Sequence, residues 1–532
     1  MNQPGIKLLK YLFYSLLLVF ALYLGINYKN LTDKKHYVVN VSNKLEEVLY
    51  HINTKYVDTV NNDQLMERAI TSMLESLDPH STYSTAEENK KQQEDLDGAF
   101  EGIGIQFNIL NDTIMVINTI SGGPSEKAGI RTGDRIIEVN SEKVAHVGIT
   151  NEEVLKMLRG KKGTTVQLSI LRPGVATPLP YTITRDVIET HSIDIAYMIQ
   201  PKTGYIKINQ FGGTTVEEFE TALENLIHKG MEKLILDLQG NSGGYLEVAL
   251  QICDHFLKRG ELILYTEGEH TETEKFHATS KGLFEDGELI ILIDELSASA
   301  SEIVAGAVQD NDRGTVVGRR SFGKGLVQRL ITLSDGSSLR LTIARYHTPS
   351  GRSIQRSYDH GVEAYYEDFI KRYGESSSAK EKSIEEEEKE LLQYKTKKGK
   401  TVYGGGGILP DIVVPLDTTT FSESFKLLFN SSLLIEFCLN YSTDNHQELK
   451  SRYRSAIHFV KNMRIHDSMI QDYINFYQNK NNQKDITISN KEKEELRHWL
   501  KALIGRNLYQ NDAFYPILNE KDPIVQRALK IK

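Results

Sequence analysis

Three serines crowd one short stretch of the chain, Ser297, Ser299 and Ser301, in the run SASASEIVAGAVQDNDRGTVVGRRSFGKGLVQ, and Lys324 and Gln328 close it. A hydroxyl can attack a carbonyl, a neutral amine can take its proton, and an amide can hold that amine in place. The surrounding pattern supplies elements for such work. Leu289 to Ile293 (LIILI) is an unbroken apolar run, as in a strand covered on both faces of a sheet. Ile303, Val304, Ala307 and Val308 then recur at helical spacing, so the serines sit where strand becomes helix. Free amides at a helix start favour negative charge and can receive an oxyanion. After the helix, TVVG and GKGLVQRLI read as short strands, with Lys324 and Gln328 projecting from one face. On residue types alone, helix-capping serines and a surface lysine fit the same pattern.

This stretch resembles the nucleophile and base segments of the carboxyl-terminal processing (tail-specific) proteases, in which a Ser-Lys pair cuts peptide bonds. The resemblance implies that Ser299 is the nucleophile, Lys324 the base and Gln328 the group that holds the lysine. Gln239-Gly240-Asn241-Ser242-Gly243-Gly244 joins an apolar strand to a helical segment and resembles the family's Arg-Gly-Asn-x-Gly-Gly turn, with Gln239 in place of the arginine. That likeness implies oxyanion amides at Gly243 and Ala300, with Gly244 competing for the first position. Leu77 to Tyr83 (LDPHSTY), His347 to Gln355 (HTPSGRSIQ) and Gly404 to Val414 also match the family. His80 in the first of these reads as a turn histidine rather than a base.

Residues 98–186 alternate apolar strands with one helical stretch, Asn151 to Leu158, and resemble a PDZ domain through Gly102-Ile103-Gly104-Ile105 and AGIRTGDRIIEVN (Ala128 to Asn140). In such a domain glycines let successive amides turn onto a terminal carboxylate, while an open strand edge pairs with the peptide. Gly102, Ile103, Gly104 and Ile105 are therefore the expected peptide-binding residues.

Rival chemistries fit less well. Gly318 to Lys324 matches G-x-x-x-x-G-K, but Gly325 stands where a phosphate loop needs Ser or Thr. Ser321-Phe-Gly-Lys324 matches S-x-x-K, but glycines flank the lysine and no K-T-G follows. There is no H-E-x-x-H, and neither metal nor cofactor is expected. The net charge of -9 argues against nucleic acid, and Cys253 and Cys438 alone make no disulfide framework.

At 532 residues several units are expected. They are an anchor or signal (1–30), a helical arm (31–97), the PDZ-like unit (98–186), an α/β core (187–373) returning over 404–418, a charged insertion (374–403) and a helical region (419–532). The fold class is multidomain α/β, and the resemblance implies a crotonase-like protease core with the PDZ domain inserted. Tyr11 to Ile26 is almost wholly apolar, spans about 24 Å as a helix and is followed by no small-residue cleavage pair, which favours a retained anchor. The resemblance places the catalytic part outside the cytoplasm, on the periplasmic side of the inner membrane. Expected partners are unfolded polypeptides or those with exposed carboxyl ends, the membrane through the N-terminal helix, and a second copy or adaptor through the C-terminal region. The other function class is a non-catalytic, membrane-anchored PDZ scaffold.

Overall fold

The computed structural model describes residues 43–120, 122–279, 282–375 (backbone alone over 371–375), 391–416, 421–482 and 486–531. The expected anchor over Tyr11 to Ile26 lies outside them. Among the described residues no helix is long and apolar enough to cross a membrane. The chain falls into two compact units, Met1–Leu74 and Glu75–Lys532. In the first, the described residues form a helix over 43–55 and the helix Asn62–Glu75, whose last residue crosses the boundary.

The second unit is built on a six-stranded sheet in the order Ile193–Gln200, Thr203–Ile208, Lys233–Asp237, Glu288–Ile293, Thr315–Gly318, Ile412–Val413. The first pair is antiparallel and the other pairs are parallel. Parallel strands must be covered on both faces. Leu289, Ile291 and Ile293 share one apolar cluster with the helices Thr215–His228, Leu246–Asp254 and Ala300–Asp310. Ile290 and Leu292 point the other way and pack with Ile524, Val525 and Ala528 of the helix Pro523–Ala528. The far C-terminus therefore supplies the second cover of the core sheet.

A second sheet holds Thr82–Ser84, Ser338–His347, Leu262–Gly268 and Thr271–His277, with Leu326–Thr332 also paired to Ser338–His347. The LDPHSTY segment, expected as a turn-rich stretch leading out of the helical arm, thus runs into the strand Thr82–Ser84 of this sheet.

The PDZ-like unit has a sheet in the order Ile105–Ile109, Ile114–Thr119, Arg135–Val139, Thr165–Leu171, Leu179–Thr184, closed over Ile103, Val116, Ile136, Val154 and Ile170. Its stem is the antiparallel pair Ala99–Gly102 and Asp186–Glu189.

The helical region after residue 421 has its own core around Phe425, Tyr473, Leu496, Leu500 and Ile517. It does not stand apart, because Leu439 packs on Leu110 and Met115 of the PDZ-like unit. Glu436 accepts hydrogen bonds there from Asn111 Nδ2 at 3.1 Å and Lys480 Nζ at 3.2 Å.

Residues 376–390 of the charged insertion lie outside the described residues, but its end departs from the expected solvated stretch. Gln393–Lys395 and Thr401–Tyr403 pair as a hairpin with Val402 buried. Lys397 N donates to Asp310 O at 2.9 Å, and Thr396 Oγ1 donates to Asp312 at 3.0 Å. Polar residues pack here because the C-terminal end of the helix Ala300–Asp310 offers them acceptors.

Candidate active site

The strand Glu288–Ile293 delivers the chain through Asp294 to Ser299, the N-cap of the helix Ala300–Asp310. All eleven residues of that helix are buried, so the junction cannot drift. Ser299 has φ 53° and ψ -111°, a conformation that L residues seldom adopt. Such strain persists where the surroundings over-determine it, as at a nucleophile held forward on a sharp turn.

The neighbouring serines have other tasks. Ser297 Oγ donates to Leu238 O at 2.8 Å, and Ser301 Oγ donates to Asn241 O at 2.9 Å, so both staple the Ser299 turn to the segment that carries the glycine turn. Asn241, fully buried, adds Ala298 N to its carbonyl at 3.0 Å and donates from Nδ2 to Ile208 O at 2.9 Å. Gly243 lies against Ser299, since a side chain there would come within 2.8 Å of Ser299 Cβ and 3.1 Å of Ala300 N. Its N–H, expected as a free donor, instead donates to Asn241 Oδ1 at 2.9 Å. Among the described residues, the amides of Gly244 and Ala300 have no acceptor.

Glu302 ties the Ser299 turn and the Lys324 loop together. Its Oε2 accepts from Ser299 N and from Lys324 N, both at 2.9 Å. Its Oε1 accepts from Gly323 N at 2.7 Å and Ser321 Oγ at 2.6 Å. Tyr346 Oη reaches the same pair, 2.7 Å from Lys324 O and 3.2 Å from Ser299 O. Burial pushes the Glu302 carboxyl up to about 7 against the hydrogen bonds it accepts. Ser321 also accepts from Ile408 N at 2.6 Å, which leaves its hydroxyl fully engaged in structure. The sequence held a signal for Glu302, because Ser299-Ala-Ser-Glu302 is a capping-box spacing.

Lys324 Nζ donates to Gln328 Oε1 at 2.9 Å. The two side chains meet as expected, although Lys324 precedes the strand and a bulge intervenes between Val327 and Gln328. Burial, then the Arg340 guanidinium, bring the Lys324 amine down to about 8, with Glu302 and Asp78 opposing. Among the described residues no hydrogen bond joins Nζ to Ser299. Gln328 Nε2 donates to the main-chain oxygen of His80. His80 is a turn residue: Asp78 Oδ1 accepts the amides of His80 and Ser81, each at 2.8 Å. Burial and the nearby Lys324 charge lower its imidazole to about 4. Glu302, Asn241, Tyr346 and the His80 carbonyl act through main-chain contacts, which spacing in a sequence does not display.

In the PDZ-like unit, Ile105–Ile109 is an edge strand of its sheet, as tail capture requires. Ile105 and Phe107 pack against the apolar core to which Val154 and Leu158 of the helix Asn151–Leu158 belong. Ile103 is buried in the core of the unit, so it can offer a ligand only its backbone. Gly104 has φ 73°, and the carbonyls of Ile103 and Gly104 accept from Ser125 N and Ile120 N, both at 3.0 Å, which fixes the loop. Among the described residues no group of His, Cys, Asp and Glu is placed to hold a metal ion.

Known proteins show the same parts. The profile of peptidase family S41 matches residues 202–367, that of the PDZ domain 102–179, that of the activating protease CtpB N-terminal domain 26–88, and that of a family of unknown function 424–510. A carboxy-terminal-processing protease of Bartonella bacilliformis is 38% identical over 58% of this chain and 71% of its own length. The carboxy-terminal processing protease CtpB of Bacillus subtilis is 36% identical over 59% of this chain and 65% of its own length. Among solved structures, the PDZ domain of a carboxy-terminal protease from Vibrio cholerae in complex with peptide is 31% identical, over 17% of this chain and 98% of that one, with a TM-score of 0.16. With a peptidase S41 segment, a PDZ domain and this identity over most of a relative's length, the chain belongs to the carboxy-terminal processing proteases, a family of serine peptidases.

Proposed function

We propose that the chain is an endopeptidase that takes polypeptides by their free carboxyl ends and hydrolyses them through an acyl-enzyme on Ser299. The observation that carries this reading is the buried Lys324 amine, lowered to about 8 and docked on Gln328, on a loop that one Glu302 oxygen binds to the Ser299 turn. In its neutral form Lys324 takes the Ser299 proton as Oγ attacks the peptide carbonyl. The resulting ammonium gives that proton to the leaving amine, and the amine then activates a water that releases the acyl group.

The oxyanion is received by the Ala300 N–H together with an amide of the glycine turn. Gly243 supplies the space beside Ser299, and Gly244 supplies the second donor, since the Gly243 N–H is engaged by Asn241. Gly102 to Ile105 present backbone amides to the terminal carboxylate beside the open edge of Ile105–Ile109. We further infer a crotonase-like core, supported by the parallel strands Thr203–Ile208, Lys233–Asp237 and Glu288–Ile293 and the helices packed on one face of their sheet, and a membrane-anchored enzyme facing the periplasm, supported by the apolar run Tyr11 to Ile26.

The test is cleavage of an unstructured polypeptide with an apolar free tail. Ser299→Ala and Lys324→Arg should each abolish turnover, because a guanidinium does not deprotonate in a protein, while Ser321→Ala should keep Ser299 chemistry. Activity in Lys324→Arg excludes the lysine base. An inactive wild type that still binds the tail favours the scaffold.

A further inference from the structure

We propose that Tyr365 and His80 are positioning residues for the catalytic base, which makes the helix Val362–Glu375 part of the catalytic machinery. The inference rests on Lys324 being that base. A continuous chain of contacts leads from the helix to the amine. Tyr365 Oη lies 3.0 Å from His80 Nε2, and the His80 carbonyl accepts from Gln328 Nε2. With that N–H engaged, Gln328 presents only Oε1 to Lys324 Nζ. Tyr366 Oη donates to Pro79 O at 3.3 Å, so consecutive tyrosines of one helix grip consecutive residues of the turn.

Tyr365 is itself held. The buried Arg356 guanidinium lies 3.9 Å from the centre of its ring, 4.9 Å from that of Phe322 and 5.5 Å from that of Phe369, and 3.5 Å from Asp368. A desolvated cation against aromatic faces attracts each of them. Phe322 also meets the His80 ring edge-on, at 6.3 Å, two residues ahead of Lys324. The cluster thus joins the loop of the base to the turn that orients its partner.

Orientation matters because a neutral amine has one lone pair. When Gln328 Oε1 accepts an N–H from Lys324, that lone pair stays available for the Ser299 proton. A flipped Gln328 would aim its own N–H at the lone pair and block it. The His80 carbonyl is what selects between the two arrangements, and Tyr365 keeps that carbonyl in place.

The experiment uses the full chain and a fluorogenic peptide with a free apolar carboxyl end. Tyr365→Phe keeps the ring on Arg356 and removes the hydroxyl. It should lower kcat roughly tenfold, leave KM within about twofold, and move the rising limb of the pH profile upward, as water reaches an amine otherwise faced by Arg340, Glu302, Asp78 and His80. His80→Ala should do the same, and the double variant should be no slower than the slower single one, since both act through one carbonyl. A change in KM alone, an unmoved pH limb, or multiplying effects would overturn the proposal. An active Lys324→Arg control would instead sink the base assignment beneath it.

Discussion

At the scale of the residue, Lys324 sets the rate on the proposed mechanism, and its burial sets a part of the stability. Its amine must lose a proton before it can act, so kcat/KM should rise with pH along a limb centred near 8, where burial has brought it. His80, lowered to about 4, stays neutral throughout that range and should add no second limb. The same burial makes the charged lysine a liability to the fold. The folded amine titrates below its ordinary 10.5, so it costs nothing above that pH, and the penalty grows as pH falls toward 8 and is constant below. Lys324→Met should therefore stabilise the protein at pH 6, by at most about 3 kcal/mol and less for the part of the side chain that stays wet, and not at all at pH 11. Denaturant titration at the two pH values measures the difference, and equal gains at both would contradict a buried, charged amine.

At the scale of the element, Glu302 makes the nucleophile turn and the base loop one object. Four donors converge on its carboxylate, from Ser299, Ser321, Gly323 and Lys324. An unpaired buried donor costs about 1 to 3 kcal/mol, so Glu302→Ala should destabilise by several kcal/mol and abolish turnover without touching substrate. Glu302→Gln keeps an acceptor oxygen but brings its own N–H groups among those donors, and it should fall between wild type and alanine in both unfolding midpoint and rate. An alanine variant as active as wild type would show that the two loops are placed by something else. The helix Ala300–Asp310 tolerates this polar hub because its remaining residues are packed on every side.

At the scale of the whole molecule, the helix Pro523–Ala528 matters more than its length suggests. It covers Ile235, Ile290, Leu292 and Val317, the reverse face of the sheet whose other face carries the helix that Ser299 begins. Val525→Asp would place a carboxylate in that contact, and it should cost roughly 3 to 5 kcal/mol and lower the unfolding midpoint of the core. Leu439, buried against Leu110 and Met115, holds the PDZ domain to the C-terminal helices. Leu439→Ala should leave catalytic parameters on a short peptide near wild type while raising protease sensitivity of the PDZ stem near Gly98 and Glu189. Unchanged nicking in that variant would mean that the stem pair Ala99–Gly102 and Asp186–Glu189 fixes the domain without this contact.

Much of the site was legible because it lies in local pattern. The apolar run LIILI before helical spacing reads as a covered strand feeding a helix, which put Ser297, Ser299 and Ser301 at one junction, and the family resemblance chose Ser299 among them. Lys324 and Gln328 are near neighbours in the chain, so their meeting was expected, although Lys324 precedes the strand and a bulge comes before Gln328. The PDZ unit was readable for the same reason, its strands alternating within one continuous segment. The sequence by itself thus determined the elements at the site and the side chains they carry. The tertiary structure alone decided which groups are engaged: that Asn241 takes the Gly243 N–H, that one buried carboxylate spans the two loops, that the LDPHSTY turn faces Gln328, and that the last helix closes the sheet. Apart from the local Asn241–Gly243 bond, these contacts join segments separated in the chain, most of them through main-chain N–H or C=O, and those groups are the same in every residue type but proline; only folding selects which of them meet.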